Sequence, residues 1–228
     1  MYLSSFYNIQ NTFLQYTMNV ILPLLSGFIA AVIGVLPPGL INMTAAKVDL
    51  TDGRKRAMVF VLGASIVVFF QTYISVLFAQ YINSHQEILV LLREIGLVIF
   101  TGLSIYFLFF AKKPKLKSDD SIQLKSKRSR FFMGILISAI NIFPIPYYAF
   151  VSVTLASYNI FTFDTVSIYS LVSGVVLGSF AVFYFYVIFF TKMKSKTDYF
   201  MQNMNKILGI ITGIGALLTL VNVIKYYF

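Results

Sequence analysis

The sequence predicts an all-α, polytopic membrane protein. Six transmembrane helices form a 3+3 inverted repeat, and the first and fourth are broken at proline. Three observations lead there. The chain has 228 residues, 58% of them hydrophobic and only 11% charged, too apolar for a water-soluble domain of this size to cover. Six apolar segments follow one another, at roughly 18–47, 57–80, 88–111, 131–157, 165–191 and 204–225. Basic residues gather in every second connection between them.

Segments two, three, five and six each suit a ~30 Å hydrocarbon core at 1.5 Å per residue. Segments one and four are longer than a straight span needs, and both hold central prolines. The first 18 residues contain no Lys or Arg, so a cleaved signal peptide is not expected. Lys47 and Arg54 to Arg56 lie in the 1–2 connection, eight basic residues from Lys112 to Arg130 lie in the 3–4 connection, and Lys192, Lys194, Lys196 and Lys206 lie in the 5–6 connection. Only Arg93 and Lys225 fall elsewhere. Six spans put all three connections on one face, which the positive-inside rule makes cytoplasmic, with both termini outward.

The halves correspond. Gly27 precedes Pro37 by ten residues, and Gly134 precedes Pro144 by ten. Thr101-Gly102 in segment three matches Thr212-Gly213 in segment six. Three spans per half make the second half enter from the opposite side, which is an inverted repeat. The expected organisation is a first repeat at 1–111, a basic cytoplasmic linker at 112–130 and a second repeat at 131–228.

The stretch GVLPPGLIN, Gly34 to Asn42, sets the functional question. A proline inside a helix removes a backbone hydrogen bond and clashes with the preceding turn, costing about 3 kcal/mol or more. Lipid offers no replacement partner, so such a break belongs where protein buries it or where it lines a polar cavity. Pro37-Pro38-Gly39 breaks segment one, and Pro144-Ile145-Pro146 breaks segment four. The half-helices that follow would start near the membrane interior from opposite directions. Their N-termini carry unpaired N–H groups and a partial positive charge. Two such ends facing one cavity would suit a carboxylate. The competing reading is a packing kink, since prolines are common in membrane helices.

Asn42 and Asn141 lie beside the breaks. Each would orient a zwitterionic substrate, or satisfy backbone groups that the prolines free. Gln71, mid-span in FFQTY, faces protein or cavity rather than lipid. Tyr147 and Tyr148, just past Pro146, line that cavity or simply pack. Ser65, Thr72, Thr101 and Ser138 are expected to bond their own helix backbone. Ser170, Gly174 and Gly178, four apart, read as a close-contact stripe between helices, as do Gly209 and Gly213.

With these residues in place, the sequence resembles the LysE/RhtB family of amino-acid exporters. The family's first span carries Pro-Gly-Pro, a nearby Asn and a short Gly-Arg-rich turn. PPGLINMTAAKVDLTDGRKR supplies Pro38-Gly39, Asn42 and Gly53-Arg54-Lys55-Arg56. The family's fourth span carries an aromatic, a spaced Gly and Asn-Pro. FFMGILISAINIFPIPYYAF supplies Phe131, Gly134 and Asn141. Leu40 replaces the motif's second proline, Ile142 replaces the proline after the asparagine, and the second span lacks the acidic residue of some relatives. The resemblance implies a secondary exporter of amino acids or similar small zwitterions across a bacterial inner membrane, working by alternating access. The implied substrate-binding set is Pro37, Pro38, Gly39, Asn42, Gln71, Asn141, Pro144, Pro146 and Tyr147. The alternative is efflux of a metal ion or another small solute, known elsewhere in the superfamily.

Composition excludes much else. There is no cysteine, hence no disulfide and no cysteine metal site. No Asp, Glu or His lies deep in a span, which disfavours a metal path, an intramembrane enzyme and a carboxylate proton carrier. No Walker motif points to ATP. The net charge of +10 flanks apolar segments, so it reads as topology and anionic-lipid contact rather than nucleic-acid binding. No cofactor, metal site or nucleic-acid partner is expected. The expected partners are a small-molecule substrate and a bilayer with anionic lipids at the cytoplasmic face. A homo-oligomer stays open.

Overall fold

The computed structural model describes residues 16–37, 39–110 and 126–227. Pro38, the first 15 residues and most of the 112–130 linker lie outside the described residues. What is described is helical, with no strand among the described residues. A π-helical turn, Thr17–Ile21, leads into α1 (Leu22–Val35). Then come α2 (Leu40–Asp52), α3 (Arg54–Asn83) and α4 (Gln86–Ile105), the last running into a second π-helical turn, Tyr106–Phe110. The second half holds α5 (Lys127–Ile140), α6 (Pro144–Ser157) and α7 (Thr165–Tyr227).

Three helical stretches are long and apolar enough to cross a membrane: Thr17–Val35, Arg54–Asn83 and Thr165–Phe189. The pair α5 and α6, bent by 63°, makes a fourth if it counts as one span. The chain is therefore a multi-pass membrane protein. Both proline stretches interrupt a helix where the sequence places the breaks. The first differs in position. Thr17–Val35 has 19 residues and is about 28 Å long at 1.5 Å per residue, so it nearly crosses on its own. The break thus comes at the end of a span rather than just past its middle.

One connection differs outright. The sequence suggests a basic connection around Lys192 to Lys206, yet α7 runs unbroken from Thr165 to Tyr227. Between Gly178 and Gly209 there is neither proline nor glycine. Lysine is a good helix former, so charge alone does not end a helix.

The chain divides into two compact units. The first takes the chain up to Gln80 together with α5, α6 and α7 as far as Thr191. The second takes the chain from Tyr81 through α4 together with α7 from Lys192 onward. Two close helix crossings build the first unit. In one, α1 meets α7. A Cβ on Gly27 would come within 2.4 Å of the Leu171 carbonyl oxygen, and Cβ atoms on Gly174 and Gly178 would lie 2.0 and 2.5 Å from those of Leu24 and Phe28. In the other, α3 meets α5. A Cβ on Gly134 would lie 2.1 Å from the Phe60 carbonyl oxygen, and one on Gly63 would lie 2.3 Å from that of Phe131. Leu24 meets Gly174 and Phe28 meets Gly178, while Phe60 meets Gly134 and Ala64 meets Ser138, so the two helices of each pair advance together and both pairs are parallel. The core around them holds Ala31, Ile41, Ala45, Val61, Ala64, Val68, Tyr148, Val175 and Phe183.

Helix ends follow local chemistry. Ser126 caps α5 by accepting from the Ser129 amide at 3.2 Å. Asp164 caps α7, accepting from the Val166 and Ser167 amides at 3.0 and 3.1 Å and from the Thr162 and Ser167 hydroxyls. Burial alone would raise its pKa, but the hydrogen bonds outweigh it and hold the carboxyl below the usual value. In the second unit, the Ser104 hydroxyl of α4 donates to the Gly209 carbonyl of α7 at 2.9 Å. Gly209 packs against Leu108, and Gly213 faces the Ser104 hydroxyl.

Candidate functional site: two capped helix breaks

A broken helix leaves carbonyls without their usual N–H donors. At the first break the donors are side chains. Asn42, in the first turn of α2, turns back so that its Nδ2 donates to the Val35 carbonyl at 2.6 Å and the Pro37 carbonyl at 3.1 Å. Tyr186 of α7 donates to the Leu36 carbonyl at 2.8 Å, and its hydroxyl also meets the Asn42 side chain. Tyr147 of α6 donates to the Ala30 carbonyl at 2.8 Å. Gly34 makes room for that tyrosine, since a Cβ there would sit 2.7 Å from its ring.

At the second break the donor comes from α3. Gln71 Nε2 gives one hydrogen to the Ser138 carbonyl at 3.1 Å and the other to the Asn141 carbonyl at 2.8 Å. The Ser138 hydroxyl in turn donates across to the Ala64 carbonyl at 3.3 Å, an interhelical bond where a bond within its own helix is expected. Ser65 does bond its own helix, at the Val61 carbonyl.

The candidate residues thus fall into two groups. Pro37, Gly39 and Asn42 stand at the first break, joined by Tyr147. Gln71 and Asn141 meet at the second, with Pro144 and Pro146 opening the helix after it. Pro38 lies outside the described residues. One core cluster contains Ile41 from just past the first break and Tyr147 and Tyr148 from just past the second. The breaks nevertheless differ in level. Tyr186, at the first, is three residues from the end of the apolar run Thr165–Phe189, whereas Gln71 is near the middle of Arg54–Asn83.

The two new N-termini also differ in chemistry. No side chain caps α2, whose N-cap Gly39 is extended at φ −113° and ψ 178° and has only the Pro37 carbonyl oxygen, at 3.9 Å, near where a Cβ would lie. That end offers N–H groups, as the sequence suggests. The start of α6 does not. Pro144 and Pro146 carry no N–H, and the Ile145 amide is bonded to the Ile142 carbonyl at 3.1 Å. Free backbone donors at both breaks are therefore not what the fold provides.

Three features escaped sequence reasoning. Tyr186 sits in the aromatic run FYFYV, which gives no phase to single it out. Gly34 lay inside the quoted motif, but its role depends on Tyr147. Asp52 and Arg130 form a part-buried ion pair at 2.5 Å, with side chains 2% and 11% exposed, although Arg130 read only as one of the basic residues of a connection. Arg130 also reaches the Met133 sulfur, and Arg56 donates to the Asp52 carbonyl at 3.0 Å. His85, the lone histidine, has Nδ1 2.9 Å from the Tyr81 carbonyl oxygen and its ring against Tyr81.

No curated protein and no solved structure matches the chain to a significant degree. A family model does, over residues 32–222, described as LysE type translocator. That range takes in both breaks, the side chains that cap them and the α3–α5 crossing. The chain belongs to the LysE type translocator family.

Proposed function

We propose that this protein is a secondary exporter of amino acids or similar small zwitterionic metabolites, acting across the inner membrane by alternating access of a 3+3 inverted repeat. One observation carries the reading: each half supplies side-chain donors to the break in the other. Tyr186, from the second half, donates to Leu36 of the first. Gln71, from the first half, donates to Ser138 and Asn141 of the second. The helix crossings are reciprocal too, Gly27 packing on α7 and Gly134 on α3. The half-helices after the breaks also end alike, on left-handed residues, Gly53 at φ 86° and Asn159 at φ 56°. Such exchange supports two related halves that rock around shared elements.

Pro37, Pro38, Gly39 and Asn42 form one side of the substrate path, and Gln71, Asn141, Pro144, Pro146 and Tyr147 form the other. The uncapped α2 N-terminus takes the carboxylate. The basic connections face the cytoplasm and its anionic lipids, and both termini face outward. Metal-ion efflux is the less suited alternative, because Asn42, Gln71 and Asn141 offer amides where a metal path wants carboxylate, imidazole or thiolate.

The test is export itself. Cells overexpressing the protein are preloaded through mixed dipeptides, and the medium is profiled by mass spectrometry against empty vector. Selective appearance of particular amino acids supports the reading. Identical profiles sink it for the amino acids sampled.

A further inference from the structure

We propose that Gln71 Oε1 is the acceptor for a primary ammonium group, that of the transported substrate; the second part rests on the exporter reading above. Gln71 is 6% exposed. Both hydrogens of its amide are spent, one on the Ser138 carbonyl and one on the Asn141 carbonyl. That pairing fixes which end of the amide is oxygen, because the flipped amide would turn its oxygen against two carbonyls. The amide oxygen is thereby left outside that pair of bonds. It is buried and has no hydrogen-bond partner. Unlike most buried polar atoms it is unsatisfied, so a donor is needed to complete it.

The surroundings select the donor's type. Pro144 and Pro146 remove the backbone N–H groups that would draw an anion to the start of α6, and the Ile145 amide is occupied. The second break is left as an accepting end, while the uncapped start of α2 is a donating end. A primary ammonium fits that accepting end, since it brings only donors. An alkali-metal ion fits less well, since it replaces its hydration shell with several oxygens and Gln71 brings one.

The test uses the purified full-length protein in detergent and n-butylammonium chloride as probe. Heat unfolding is followed by circular dichroism across a concentration series. Wild type is stabilised by n-butylammonium, and not by butyltrimethylammonium, which has the same charge but no N–H. Gln71→Leu weakens the apparent affinity at least about tenfold, as expected for a lost hydrogen bond to a charged group. Equal protection of wild type by both ammonium probes would overturn the proposal, even if the variant does not fold. So would unchanged affinity in a folded Gln71→Leu variant, which would make Gln71 only a helix cap. A Gln71-dependent shift with sodium chloride alone would assign the oxygen to a coupling ion instead. If n-butylammonium binds through Gln71 but cells export no amino acid, the exporter reading fails alone.

Discussion

Asn42 and Gln71 do one job at different ranges. Each is a primary amide whose two hydrogens serve two carbonyls at a helix break, Asn42 from within its own broken span and Gln71 from the neighbouring helix. Lipid could not satisfy the carbonyls that Asn42 reaches, whereas the Ser138 carbonyl also accepts from the Asn141 amide. Asn42→Leu strands two carbonyls, and should cost about 1–3 kcal/mol for each left unpaired. The check is heat unfolding in detergent, where the variant melts well below wild type. At this scale the sequence was partly legible. An amide beside a mid-membrane proline announces either a cap or a ligand group, and Asn42 is observed to cap. Which carbonyls it reaches depends on how α2 folds back, and no spacing rule states that. Tyr186 was not legible at all, because its partner, Leu36, is 150 residues away.

At the scale of elements, small residues decide where helices meet. The ten-residue spacing of Gly27 from Pro37, and of Gly134 from Pro144, marks the two tightest crossings of the first unit. Gly27→Val and Gly134→Val would drive a side chain into backbone, at 2.4 and 2.1 Å for the first atom alone. Each should lose at least the ~1–3 kcal/mol typical of overpacking, read as a fall in melting temperature. Gly102→Val should change little, because nothing lies within 4 Å of a Cβ there. The glycine pattern alone could not separate these cases, since Gly102 stood in the repeat with equal weight. The unbroken α7 teaches a related lesson. A run of lysines suggested a connection, but residues that break helices, not charge, determine where a helix ends.

For the whole molecule, the Asp52–Arg130 pair ties the end of α2 to the start of α5, and so the first half to the second. Each charge stands at the helix end that disfavours it: a carboxylate at a C-terminus and a guanidinium in the first turns. Their mutual attraction therefore holds the contact. A rocking transporter would have to open it in each cycle. Arg130→Asp alone leaves two buried carboxylates and should cost about 3–5 kcal/mol. The exchanged pair, Asp52→Arg with Arg130→Asp, should regain stability and export. Recovery of neither would leave the pair without the bridging role. The helical class, the two breaks and the family were legible because proline, glycine and hydropathy act locally. The ion pair was not, because burial belongs to the fold.

The central claim is that the breaks border the path of the exported molecule. Gly39→Leu in the export assay tests it most directly, with Gly102→Leu as control. A Cβ at Gly39 would meet only the Pro37 carbonyl oxygen, at 3.9 Å, one at Gly102 would meet nothing within 4 Å, and neither glycine has a positive φ, so both variants should fold and reach the membrane. The account predicts that Gly39→Leu cuts export at least about tenfold, the effect of roughly 1.4 kcal/mol on the barrier, at unchanged abundance, while Gly102→Leu exports as wild type does. Equal export by both variants would contradict it.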